Sequence, residues 1–310
     1  MTPRPASQDF NIMTDLILHH YDTSPFSEKV RLLFGLRGLA WRSVIQPTIM
    51  PKPDLTPLTG GYRRIPVLQA GADVYCDSQV ILDEVARRSG GPLEGAGWAV
   101  NLWADRLFFG VTVPIIFGEI EVPKAFIEDR EKLSGRPFDA AAMKAASGPM
   151  QGQWRAQAGW LEEALERSAW LAGDAPGLAD IAAYMNLWFL GGAVRNTAEA
   201  LMAGMPHLQD WRARVRAIGH GQRSEMTPAE ALAVAKSSEP ASYAEHDPAD
   251  PLGLAPGAPV RVMADDYGRE PIDGTLVAAN ARRVVVAREE PALGRLQAHF
   301  PRAGYIVVGR

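Results

Sequence analysis

The stretch His19-His20-Tyr21-Asp22-Thr23-Ser24-Pro25-Phe26-Ser27-Glu28-Lys29-Val30-Arg31-Leu32-Leu33-Phe34 decides the fold. It grows out of residues 16–20, a short apolar run that stops at a turn, the pattern of a buried strand. Ser24 and Pro25 then open a helix, because serine suits the N-cap and proline the first helical position. Val30, Leu33 and Phe34 follow at helical spacing, and Gly38 marks the stop. Working outward, 41–45 reads as a second strand and 47–61, rich in Pro and Gly, as loop. Residues 65–68 and 73–75 read as a hairpin. Asp77-Ser78 caps a further helix whose apolar face is Ile81, Leu82 and Val85. The order β-α-β, loop, β-β-α predicts an α/β domain over 14–92.

Strand signals vanish from about Trp98 to Gly219. Helical patterns at 103–116, 151–168, 178–190 and 198–217 predict an all-helical bundle, with one more short helix at 227–235, so the second domain is drawn over 98–236. Trp98, Trp103, Trp154, Trp160, Trp188 and Trp211 are assigned mostly to its core. Residues 239–259 hold five prolines and no Lys or Arg, an extended acidic linker drawn at 237–259. Short strands at 260–263, 274–277, 283–287, 295–300 and 305–308, separated by Gly, Pro and Asn turns, predict a small all-β module of SH3-like character over 260–310.

A net charge of -4 and a pI near 5.9 give no reason to expect nucleic acid or an anionic membrane as main partner. The most apolar helical stretch, 187–194, is too short to span a bilayer. The first residues lack a basic segment followed by an apolar one, so no signal peptide is expected; 1–13 reads as a disordered leader, with Met13 an alternative start. The single cysteine, Cys76, excludes an internal disulfide and a CxxC dithiol and points to the cytoplasm. His19 and His20 are strand neighbours facing opposite ways and cannot chelate together. No His/Cys/Asp/Glu cluster has zinc spacing, so no metal is expected. Arg282, Arg283 and Arg288 sit in a module with eight Arg against six Asp plus Glu, which reads as a solvated face. His299-Phe300-Pro301-Arg302 either closes the β-module or touches a partner subunit.

Ser24-Pro25-Phe26-Ser27-Glu28-Lys29-Val30-Arg31 resembles the opening of glutathione transferases, in particular their zeta, omega and related bacterial branches. In that family the first strand delivers a Ser, Tyr or Cys to the start of the first helix of a thioredoxin-like domain. The resemblance implies that Ser24 meets the glutathione sulfur, with Tyr21 and Ser27 as rival hydroxyls. Lowering a free thiol from about 8.5 by ~2 pH units needs ~2.7 kcal/mol. A hydroxyl hydrogen bond to an anion supplies about 1.5–3 kcal/mol and a helix N-terminus about 0.3–1 kcal/mol. The two together suffice. Taken alone, Ser24 is equally an ordinary N-cap.

Arg63-Arg64-Ile65-Pro66-Val67-Leu68 is similar to the family's strand after a cis proline. The resemblance implies a cis Ile65–Pro66 bond and pairing of the cysteinyl segment with Ile65; Phe26, Arg64 and Pro66 join the glutathione-binding set. Cys76-Asp77-Ser78 matches the position where the family holds the γ-glutamyl group, implying that Ser78 binds its carboxylate and Asp77 its ammonium. Cys76 itself reads as a small buried hydrophobe. The 170–182 segment resembles a family helix start in which Asp180 caps for stability, and 205–211 a later helix start. The acceptor site is expected between the domains, with Trp103, Leu107 and Phe108 as its candidates. The family further implies a homodimer through the sheet edge and the first bundle helix. Two functions follow: an enzyme that presents glutathione thiolate to a small apolar electrophile, or a non-catalytic protein of the same fold that uses the β-module for recognition.

Overall fold

The computed structural model describes residues 16–91, 93–243 and 245–310; the expected leader at 1–13 lies outside them. The first domain runs β1 (Ile17–His20), α1 (Pro25–Leu36), β2 (Ala40–Ile45), α2 (Thr56–Thr59), β3 (Val67–Ala70), β4 (Asp73–Cys76) and α3 (Ser78–Arg88). β1 is parallel to β2 and antiparallel to β3, which pairs antiparallel with β4. This is the thioredoxin-like arrangement. Strand alternation sends Leu18, Leu68 and Tyr75 to a core shared with α1, α3 and the helical domain. Val67, Val74 and Cys76 go to a second core on the other face.

The helical domain follows: α4 (Gly95–Trp103), a π-helical turn at Ala104–Phe108, α5 (Phe109–Glu119), α6 (Lys124–Ser134), α7 (Ala140–Leu165), α8 (Leu178–Ala193), α9 (Arg195–Leu201) and α10 (Pro206–Ala217). Helix α6 is absent from the sequence expectation, and the expected single helix at 198–217 breaks into α9 and α10. The run Gly95–Glu119 is, by length and composition, apolar enough to cross a membrane; the stretch at 187–194 therefore did not set the limit. Here that run packs against α7 and α8. Trp154 and Trp211 are core residues as expected, whereas Trp160 is 59% exposed. Asp180 is fully buried and accepts hydrogen bonds from the amides of Leu171, Ala172 and Gly177 and from Trp211 Nε1. One carboxylate thereby fastens the start of α8 to α10. Gly35 lets the chain leaving the bundle lie against α1: a Cβ there would stand 2.1 Å from the Gly219 carbonyl oxygen.

After α10 the chain returns to the first sheet. β5 (Gln222–Glu225) adds parallel to β2, and α11 (Pro228–Lys236) sets Ala231 over Ile17 and Val44. The segment 222–236, assigned from sequence to the helical domain, thus covers the thioredoxin-like sheet. β6 (Pro259–Ala264), β7 (Ile272–Ala279), β8 (Arg283–Glu290), β9 (Gly294–Pro301) and β10 (Tyr305–Gly309) form the third unit. Its strands do not make a separate body. β9 pairs parallel with β4, aligning Val74 with Ala298 and Tyr75 with His299, so one ten-stranded sheet runs through both units. Val260, Ile272, Leu276, Val286 and Phe300 complete the core begun by Val67, Val74 and Cys76.

Two expectations change here. The β4 edge of the thioredoxin-like sheet, expected to be free, is paired within the chain with β9. Arg283 is not on a solvated face: it is buried and pairs with Asp83 and Glu84 of α3. His299 Nε2 donates to the Asp73 carboxylate at 2.8 Å and the ring stacks on Tyr75, so the 299–302 motif closes the module onto its own chain.

Candidate functional site

Ser24 is the N-cap of α1, with extended backbone (φ -77°, ψ 119°) and its Oγ accepting from the Ser27 amide at 3.2 Å. The residue is only 1% exposed. Accepting that bond occupies a lone pair and leaves the hydroxyl proton free to donate. Tyr21, Thr23, Pro25 and Phe26 line a cavity of about 600 Å³, whereas Ser24 itself is not among its lining residues. Burial raises the Tyr21 phenol pKa, opposed by the charge of Arg130, so Tyr21 stays neutral. Ser27 turns inward, and its Oγ finds no partner among the described residues. Thr23 escaped the sequence reading because no motif distinguishes it.

Phe26, Arg64 and Ile65 line the same cavity. The Ile65–Pro66 bond is cis, as is Met50–Pro51. Asp77 caps α3, accepting from the Gln79 amide at 2.9 Å, and its φ of 99° is a strained conformation for a non-glycine residue. Its second oxygen accepts from the Tyr305 hydroxyl at 3.0 Å, and Tyr62 stands 3.3 Å from that hydroxyl. Asp77 and Ser78 are not among the residues that line the cavity.

The acceptor candidates fall elsewhere than expected. Leu107 is 66% exposed, and Phe108 is fully buried, stacked between Trp103 and Trp154. A π-helical turn occupies Ala104–Phe108, where it adds a residue to the turn. The face that meets the cavity carries Phe109, Val113, Ile116 and Phe117, joined by Phe126, Phe138 and Phe189.

The cavity wall has a cationic side. Lys52, Arg63, Arg64, Arg130 and Arg136 line it, and among the described residues no Asp or Glu does. Arg63 and Arg130 are committed to Asp129. Lys52 is 3% exposed and has no hydrogen-bond or ion-pair partner among the described residues; burial lowers its pKa to about 8, partly opposed by Asp129. Its ammonium adds positive charge to the cavity wall. No spacing pattern in the sequence marks Lys52. Cys76 is fully buried, and burial pushes its thiol pKa far up, which rules out thiolate chemistry there. Among the described residues no group of His, Cys, Asp and Glu is placed to hold a metal.

A thioredoxin-like domain whose first helix starts at a cavity, backed by a helical bundle that supplies apolar walls, defines a glutathione-transferase-like protein. Comparison with known proteins places it further. The model of the glutathione S-transferase N-terminal domain matches residues 18–93, and that of the C-terminal domain residues 127–214. A GST-like protein from Pseudomonas syringae is 34% identical, covering 96% of this chain and 100% of its own, with a TM-score of 0.80. A glutathione S-transferase from Rhodospirillum rubrum F11, 22% identical over 65% of this chain and 88% of its own with a TM-score of 0.50, shares the fold. No curated protein sequence matches. The chain belongs to the glutathione S-transferase family, and the likeness to the Pseudomonas syringae protein extends over the β-module.

Proposed function

We propose that this chain binds glutathione at the start of α1 and joins it through its sulfur to a small apolar electrophile held in the 600 Å³ cavity. The observation that carries this reading is the convergence on one cavity of the α1 N-terminus, the Ile65 edge and an apolar wall. Glutathione would pair its cysteinyl segment with Ile65 and place its sulfur at Ser24. Ser24 Oγ donates to the thiolate while the α1 amides supply positive potential, the two effects together holding the sulfur ionised near neutral pH. The neutral Tyr21 phenol stands beside this hydroxyl and can support the same anion.

The charges also match. Lys52 takes one of the tripeptide's two carboxylates, while Asp77 and Ser78 receive the γ-glutamyl end once Tyr305 yields its hydrogen bond to Asp77. The thiolate attacks the carbon of the electrophile, forming the C–S bond; the electron pair goes to the leaving group or the conjugated oxygen. Phe109, Phe117 and Phe189 keep water from the acceptor.

Calorimetry with glutathione, followed by turnover with a generic electrophile, tests this. Micromolar to millimolar binding with turnover that falls at least tenfold in Ser24→Ala supports it. Absence of binding leaves the fold serving recognition through the β-module.

A further inference from the structure

The loop between β6 and β7, residues 265–271, reaches from the third unit across both other domains. Asp265 pairs with Arg106 of the π-helical turn at 2.6 Å, Asp266 pairs with Arg64, and Glu270 stands 3.7 Å from Arg63. The Gly268 amide donates to the Leu133 carbonyl of α6 at 2.7 Å. Gly268 has φ +58°, and a Cβ there would lie 2.8 Å from Arg64 Nε and 2.9 Å from Leu133 Cδ1, so only glycine lets the loop seat. The loop is pinned to the first domain and to the bundle at once.

What it carries to the cavity is Tyr267. The ring lies under the Arg64 guanidinium at 4.0 Å, a cation–π contact that fixes its plane. The residue lines the cavity, and its hydroxyl has no hydrogen-bond partner among the described residues. Burial raises its pKa to about 12, so it remains a neutral O–H donor across the working range. The rest of the acceptor wall is dominated by phenylalanine, with no other neutral donor on the β-module side.

We propose that Tyr267 is a specificity-determining residue of the acceptor half of the site, donating a hydrogen bond to an oxygen of the bound acceptor and so selecting flat apolar molecules that bear a carbonyl or nitro group. The inference rests on the cavity being the acceptor site. It gives the β-module a role in substrate choice as well as in covering the sheet edge. In a conjugated acceptor the same bond strengthens as the oxygen gains charge when the thiolate adds, and the proton stays with the phenol.

The test compares benzophenone with diphenylmethane, which share two rings and differ in the carbonyl, bound to the full chain and to Tyr267→Phe. The phenylalanine keeps the ring on Arg64 and removes only the hydroxyl. The ketone should weaken about three- to tenfold in Tyr267→Phe while the hydrocarbon is unchanged. Equal effects on both ligands, no effect on either, or no binding of either ligand to the unaltered chain would overturn the inference. Glutathione titrated in parallel separates the two proposals: ketone discrimination without glutathione binding sinks the transferase reading and leaves this one standing.

Discussion

Arg283→Met tests whether the β-module is an integral part of the molecule. Arg283 lies on β8, 2% exposed, with its guanidinium against Asp83 and 2.8 Å from Glu84 of α3. Glu84 is fully buried; it also accepts from Arg87, Arg88 and the Tyr75 hydroxyl. Burial alone would raise the Glu84 pKa, but the hydrogen bonds from Arg87 and Arg283 and the charge of Arg88 hold it well below the carboxylate range. Methionine preserves much of the volume and removes the donor. Breaking a buried ion pair costs about 3–5 kcal/mol, and because Glu84 keeps two arginines the loss belongs near the lower end, about 3 kcal/mol. Urea unfolding at pH 7.5 should show that loss, and amide exchange should accelerate first at Val74, Tyr75, Ala298 and His299, where β4 meets β9. A loss below about 1 kcal/mol with unchanged exchange at β4 would refute the reasoning, because the module would then be held by its apolar core alone.

Other outcomes follow from single groups. Asp180→Ala leaves the buried Trp211 Nε1 and three part-buried amides without their acceptor and should destabilise the chain by about 2–3 kcal/mol in urea, with glutathione binding unchanged in the folded protein. Burial lowers the folded pKa of His19 to about 4 and that of His20 to about 3, the latter helped by Arg31 and Arg223. Below pH 6.5 the unfolded chain therefore binds protons the folded chain refuses, and stability should fall between pH 6.5 and 5 by on the order of 2 kcal/mol per ring, read by urea titration at each pH. Lys52→Met should weaken glutathione about tenfold or more by calorimetry, and in the unaltered chain affinity should decline as pH rises through about 8, where the free ammonium loses its proton. Unchanged affinity in Lys52→Met would remove Lys52 from the site.

The first domain was legible because its signals are local. Ser24-Pro25 is a helix start whatever surrounds it, and the β-α-β then β-β-α order survives intact in the structure. The five strands of the β-module were likewise found from turns and alternation. Their docking was not: pairing of β9 with β4 joins residues more than two hundred positions apart, and nothing in either strand's composition names its partner. Strand β5, exposed along its whole length, offers no apolar alternation and went unseen. Arg283 reads as a surface charge until its two carboxylates on α3 are in view. The acceptor wall was misplaced because a position between the domains does not say which side chains of a helix meet the cavity: Phe108 turns into the core and Leu107 to solvent. Lys52 and Tyr267 stand in loops, where neither periodicity nor capping marks a functional side chain.

The central claim concerns the sulfur, and its most direct test is to titrate the thiol of bound glutathione by ultraviolet thiolate absorbance in the unaltered chain and in Ser24→Ala. The account predicts a bound thiol pKa below about 7, rising by about one to two units when the serine hydroxyl is removed. A bound thiol that titrates near its free value of about 8.5 in both proteins would contradict it.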